Sequence, residues 1–390
     1  VNVAGQLDEI EKRIMAGLKD FQRATVNRID ELYRAGQMRV LVSDEVGLGK
    51  TLIARGTIAK LAKLQKESGD KLVKVVYVCS NASIAEQNLN KLRITSELKT
   101  ESTSSSRLSM QHLNIFRQEN DTELLNRYIQ LIPLTPDTSF RMTSGAGIVS
   151  ERALMYAILR RMPELSMYRK ALEVAMADKA VGQWDGWARD WYETQVKECD
   201  KTSGGKYLAY MLDKLSVELN MRADEDNTVL DMIISMCKQI RSNRYKQQNN
   251  NAVIGKLRVI FAKISLDKLE PDLVIMDEFQ RFKYLINSDS DTETGMLANK
   301  FFNSSKVRML LLSATPYKMY STLEEIDETQ VDEHYSEFFD VMNFLNISES
   351  EKAEFKTVWS DYSVKLKELS DGDTTCLLYT SPSPRDGATS

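Results

Sequence analysis

Two short stretches of the sequence hold side chains that act on phosphate when brought together. The first is DEVGLGKT, Asp44–Thr51, directly behind the apolar run RVLVS. Gly47 and Gly49 let the backbone turn tightly and come close to a ligand, with Leu48 held between them as part of the same nucleotide-binding turn. Successive N–H groups, together with the start of a following helix, attract an anion. Lys50 is then placed to reach the β- and γ-phosphates of a nucleotide, and Thr51 to offer its hydroxyl to Mg²⁺. The second stretch is LVIMDEFQ, Leu273–Gln280, a buried-strand run that ends in two carboxylates. A strand of this kind delivers Asp277 and Glu278 to the carboxyl edge of a sheet, where ligands bind in α/β folds. Asp277 suits the metal, and Glu278 suits the attacking water. A third run, LLLSATP, ends in the hydroxyls of Ser313 and Thr315, within reach of carboxylates on a neighbouring strand end. Each stretch alone also fits a plain strand-to-helix turn; their joint presence favours a nucleotide site.

The elements that must position these residues alternate. Residues 7–35 carry apolar positions at helical spacing and stop at Gly36. A short apolar run at Val40–Val42 predicts a buried strand, and the sequence from Thr51 to Ser68 predicts a helix. Val75–Cys79 predicts a second buried strand, followed by a helix in ASIAEQNLNKL. Strand, loop, helix, strand, helix is the order of a parallel sheet with crossover helices. The alternation breaks near residue 100 and resumes at PDLVIMDEF. The intervening sequence is Ser/Thr-rich around the short apolar piece IQLIPLTP and then mostly helix-patterned, up to a polar break at KQQNNN.

Composition narrows the class. The chain has 390 residues, a net charge of −4 and 42% hydrophobic residues, ordinary values for a soluble globular protein, so no global basic field advertises nucleic acid. Cys79, Cys199, Cys237 and Cys376 lie far apart with no CxxC pair, which excludes a zinc module or disulfide framework and fits a reducing cytoplasm. With His112 and His334 as the only histidines, histidine-based metal sites are not expected. No apolar run approaches the roughly 20 residues of a membrane span, so no membrane partner is expected.

Taken in order, DEVGLGKT, DEFQ and SATP resemble motifs I, II and III of superfamily 2 DEAD/DEAH-like helicases and translocases. The form of the loop, with Asp44 where a general P-loop has glycine, is similar to that of the Swi/Snf-type branch. Phe21-Gln22 resembles the upstream glutamine motif, which assigns Gln22 to adenine. VVYVCSNASIAEQNLNKL resembles motif Ia, which assigns Ser80 and Asn81 to the nucleic-acid backbone. Gln280 stands where DEAD- and DEAH-box proteins have Asp or His; with Ser313 and Thr315 it would couple nucleotide state to the nucleic-acid face. LIPLTPDTSF with DEFQRF resembles a bacterial subgroup of large helicase-like proteins, some linked to phage defence.

The resemblance implies an α/β fold: a RecA-like P-loop domain with a central, mostly parallel sheet, interrupted by a large, mostly helical insertion. The expected division is an N-terminal helical segment with the glutamine motif (1–36), the first part of the ATPase domain (37–100), the insertion (101–255), the second part (256–322), a helical linker towards a missing second motor domain (323–372) and a non-native tail (373–390). It implies ATP and Mg²⁺ as cofactors, DNA as partner with RNA as the alternative, and a protein partner for the insertion. A nucleic-acid-independent switch or remodelling ATPase, and an interaction protein with a vestigial motor, are the rival readings. Four residue-level expectations accompany these. Arg39 is a surface charge. Seven cations between Lys238 and Lys263, including Arg241, Arg244, Lys246, Lys256 and Arg258, form either a solvated face or a phosphate track with Tyr245. Trp184, Trp187 and Trp191, spaced by three and four, share one helix face in the insertion core, and Met155, Met162 and Met167 fill that core.

Overall fold

The structure is a computed structural model. It describes residues 3–44, 47–70, 72–80, 82–95, 107–119, 128–136, 147–178, 181–222, 227–242, 247–282, 293–302, 307–313, 341–345, 350–354, 357, 358 and 361. The chain forms two compact units, Val1–Ala314 and Thr315–Ser390. Everything below concerns the first. Most of the expected linker and all of the expected tail lie outside the described residues. Among these, no helix is long and apolar enough to cross a membrane.

The first unit is built on a five-stranded parallel sheet in the order β1-β5-β4-β2-β3. The strands are β1 (Arg39–Ser43), β2 (Val73–Val78), β3 (Ile129–Leu134), β4 (Leu273–Asp277) and β5 (Arg308–Ser313). Their near-continuous apolar runs reflect burial on both faces, as parallel sheets with helical crossovers require. One face carries Val40, Val42, Val75, Tyr77, Ile275, Leu310 and Leu312 into a single core with the first helices of the chain. These are α1 (Val3–Ala16), α2 (Asp20–Arg34), α3 (Lys50–Glu67) and α4 (Ala82–Leu92). Because all strands run the same way, their carboxyl ends gather at one edge, which is where the loop after β1 and the carboxylates after β4 must lie. The α/β fold with a RecA-like parallel sheet and a large helical insertion is present.

The insertion has its own core, made by α5 (Gln111–Glu119), α6 (Val149–Leu159), α7 (Arg169–Ala177), α8 (Glu193–Thr202), α9 (Lys206–Leu219), α10 (Val229–Arg241) and the first two-thirds of α11 (Gln247–Leu269). It departs from expectation in three places. The short apolar piece IQLIPL, placed within the expected insertion, is a strand of the main sheet: β3 pairs in parallel with β2 from Val73↔Ile129 to Val78↔Leu134. Pro133 marks it as an edge strand, since proline has no N–H for a further neighbour. The polar run at 247–251 is no break but the first turns of α11, where buried Asn250 donates from Nδ2 to Ala175 O at 2.9 Å. The tryptophans do not share a face. Asp185–Tyr192 winds as a π-helix, whose i→i+5 bonding turns more slowly than an α-helix. Trp184 is therefore buried, while Trp187 and Trp191 are 40% and 53% exposed. Met155 and Met162 fill the core; Met167 is exposed.

Several charges are used internally. Arg39 is buried and donates from Nη2 to Phe302 O at 3.0 Å, so it is not a surface charge. Arg258 is buried against Glu151, and Lys263 donates to Glu218 at 2.8 Å. These two cannot serve a phosphate track; Arg244, Tyr245 and Lys246 lie outside the described residues.

Candidate functional site

The loop after β1 has the backbone its glycines dictate. Gly47 has φ of 90° and Gly49 has φ of 84°, the left-handed region that an L side chain resists. Gly49 is the N-cap of α3, supplies no side-chain cap, and is followed by a first turn without an acidic residue. The leading N–H groups of this 18-residue helix therefore carry their partial positive charge with neither an N-cap side chain nor a first-turn carboxylate to balance it. Lys50 opens the helix and its Nζ donates to Asp44 O at 2.8 Å, folding the ammonium back over the loop. Thr51 follows, half-buried.

Gln22 sits against this loop, although the chain between them runs through α2 and β1. It is buried; Oε1 accepts from Lys19 N at 3.1 Å, closing the start of α2, and Nε2 donates to Leu48 O at 2.9 Å. A Cβ on Gly49 would lie 2.5 Å from Gln22 Nε2, so the two residues are mutually fitted. The amide keeps a second N–H beyond the bond to Leu48. Phe21, next to Gln22, and Leu48 and Leu52, in and just after the loop, are exposed apolar side chains.

The ladder places the second stretch. Ser43 pairs with Ser313, and Asp277 pairs with Leu312. One strand therefore separates the loop after β1 from Asp277, about 10 Å at two strand spacings. Asp44 N donates to Ser313 O at 3.2 Å, tying the start of the loop to the end of β5. Ser313 is fully buried at that junction. Asp277 is half-buried, and its carboxylate takes its hydrogen bonds from the other side: Tyr77 Oη donates to Oδ2 at 2.5 Å and Asn88 Nδ2 donates to the same oxygen at 3.3 Å. The sequence points to hydroxyls of β5 as partners of the carboxylates and leaves Tyr77 and Asn88 unmarked. The only available signal was a tyrosine in an otherwise aliphatic buried strand.

Glu278 adopts φ of 52°, one of three non-glycine residues with positive φ among the described residues. Such a conformation costs of order 1–3 kcal/mol and clusters at functional sites. Its exposed carboxylate pairs with Arg281 Nε at 2.7 Å, three residues on. Ser80 is half-buried just beyond β2, at the same edge. Asn81, Thr315 and the side chain of Gln280 lie outside the described residues. The buried thiols Cys199 and Cys237 are pushed up to about 11 and about 12 by desolvation, which makes them unreactive.

Two observations test the fit of ATP and Mg²⁺. The α3 N-terminus, with left-handed glycines and Lys50, has the chemistry of a triphosphate cradle. Mg²⁺ keeps most of its waters and takes one or two protein oxygens plus phosphate, and the half-buried Thr51 hydroxyl and Asp277 carboxylate are oxygens of that kind. Thr51 and Asp277 would hold it, and the residues present fit.

No curated protein and no solved structure matches the chain. Residues 16–132, from the end of α1 through the loop and into β3, match the family model described as the res subunit of type III restriction enzymes, which supports a helicase-type ATPase domain in this part of the chain.

Proposed function

We propose that the chain is the ATP-binding motor domain of a nucleic-acid helicase or translocase of the Swi/Snf-like branch, acting on DNA in bacterial genome defence or maintenance. The observation that carries this reading is the shared sheet edge. The uncapped N-terminus of α3 with Lys50 stands one strand from Asp277, and Gln22 is clipped to the loop from a separate helix.

In this reading the N–H groups of Gly47, Leu48, Gly49 and Lys50 and the Lys50 ammonium hold the phosphates, and Gln22 uses its spare N–H on the adenine. Mg²⁺, held through Thr51 and Asp277, would neutralise charge between the β- and γ-phosphates. Glu278 accepts the proton of the attacking water as its oxygen bonds to the γ-phosphorus. The bond from γ-phosphorus to the bridging oxygen breaks, and ADP leaves with the electron pair. Ser313, Thr315 and Gln280 sense the γ-phosphate, and Ser80 and Asn81 contact the strand.

The test is ATP binding and phosphate release with and without single- and double-stranded DNA and RNA. Lys50→Ala is expected to abolish productive ATP binding. Glu278→Gln is expected to keep binding and lose at least about 100-fold in turnover. Wild-type turnover in Glu278→Gln overturns its role, and an ATPase indifferent to every nucleic acid favours a remodelling switch instead. The exposed Trp187 and Trp191 favour a further partner: a protein contact on the insertion, which would survive in the Lys50→Ala variant.

A further inference from the structure

We propose that Tyr77 and Asn88 are positioning residues for the Asp277 carboxylate: they hold Oδ2 and present Oδ1 to a hydrated divalent cation. This rests on the reading of Asp277 as the metal carboxylate and names the residues that set its orientation.

The geometry is a closed triangle. Tyr77 Oη donates to Asp277 Oδ2 at 2.5 Å; Asn88 Nδ2 donates to Tyr77 Oη at 2.8 Å and to Asp277 Oδ2 at 3.3 Å. The donor count closes as well. A phenol has one hydrogen, spent on Asp277, and a carboxamide nitrogen has two, one for each partner. Oδ2 receives two donors, while Oδ1 meets no hydrogen-bond donor among the described residues.

The placement follows from the ladder. Tyr77 stands opposite Ile275 in the β2–β4 register, and Asp277 lies two residues beyond Ile275, on the same face. Helix α4 packs on β2 and brings Asn88 to that face. At position 77 a phenylalanine would satisfy burial equally, since the ring is only 1% exposed. A buried hydroxyl is costly unless it is paired, and its partners here are Asn88 and the one carboxylate assigned to metal. Groups of this kind, one shell behind a metal ligand, fix the ligand's rotamer and set affinity. Helix α4 begins at Ala82, two residues after Ser80, so the residues that hold Asp277 belong to the strand–turn–helix unit assigned to the nucleic acid.

The experiment titrates Mg²⁺ against binding of a fluorescent ATP analogue, with Mn²⁺ binding followed by electron paramagnetic resonance. The proteins are wild type, Tyr77→Phe, Asn88→Ala and Asp277→Asn, each with a melting curve. Tyr77→Phe and Asn88→Ala are expected to raise the half-saturating metal concentration by about tenfold while leaving metal-free nucleotide affinity unchanged. A merely structural role would lower the melting temperature and weaken binding with and without metal alike. An unchanged metal requirement in both variants, with Asp277→Asn impaired, overturns this inference alone. An unchanged requirement in Asp277→Asn overturns the assignment of Asp277 and the inference with it.

Discussion

At the residue scale the site is set by backbone conformations that few side chains tolerate. Gly49 combines φ of 84° with a Cβ direction that points within 2.5 Å of Gln22 Nε2. Gly49→Ala therefore meets two separate penalties, left-handed strain and a clash with a buried amide that is itself bonded to Leu48. We expect a loss of about 1–2 kcal/mol in a urea melt, together with weaker ATP binding. Adding Gln22→Ala removes the clash but not the strain, so the double variant should recover part of the stability. A double variant that melts with the wild type would show that the strain term is absent. Glu278 carries the same kind of strain without being glycine, at the position the proposed chemistry needs. The spacing of the glycines already points to the loop conformation; Gln22 is marked only by its resemblance to the glutamine motif, and its bond to Leu48 is not legible locally because the contact spans 26 residues.

At the element scale the insertion is held by buried polar groups, and one of them is a histidine that burial keeps neutral. His112 on α5 is fully buried, and its Nδ1 lies 3.1 Å from Tyr207 Oη of α9. Its ring lies against Tyr207 and Phe261, and its backbone N–H donates to Ser265 Oγ at 3.1 Å. Burial, which penalises the imidazolium, pushes its pKa down from 6.5 to about 3. With the folded value depressed, the unfolded chain binds a proton below pH 6.5 that the fold refuses. The contribution is complete above pH 6.5 and is lost progressively as pH falls towards 3. At pH 5.5 the loss is about 1.4 kcal/mol. Urea melts at pH 7.5 and 5.5 should show that drop in the wild type and a smaller one in His112→Gln; equal drops would remove His112 as the cause.

At the scale of the whole first unit, two cores are joined by α11, which fills the insertion core and then leads into β4 and Asp277. A buried charge cluster sets its seat. Glu151 Oε1 pairs with Arg258 Nε at 3.0 Å and accepts from Ser109 Oγ, and Arg107 Nη1 lies 3.5 Å from Oε2. Glu151 and Arg258 are both almost completely inaccessible. Glu151→Ala leaves a buried guanidinium without its carboxylate and is expected to cost about 3–5 kcal/mol, read by urea denaturation. Replacing both, Glu151→Leu with Arg258→Met, should be milder than Glu151→Ala alone. If the double variant is worse, the pair is a net source of stability rather than a device of specificity.

Local pattern alone determined the α/β class, the glycine turn after β1, the strand that ends in carboxylates and the helices with clear apolar periodicity. Those signals come from residues adjacent in the chain: an apolar run long enough for a strand, glycines where φ must be positive, a carboxylate pair after the run. Tertiary structure decided what depends on partners far along the chain. Ile129–Leu134 is only a short apolar piece in the sequence, and it becomes a strand because β2 supplies its hydrogen bonds. The cations at Arg258 and Arg39 look solvated until Glu151 and Phe302 O are brought to them. Trp187 and Trp191 leave the core because the helix winds as π, which their spacing does not reveal. Tyr77, Asn88 and Asp277 meet only because a parallel register sets two strands side by side and lays α4 over them. A carboxylate's identity is written in the chain, but its orientation is fixed by groups up to 200 residues away.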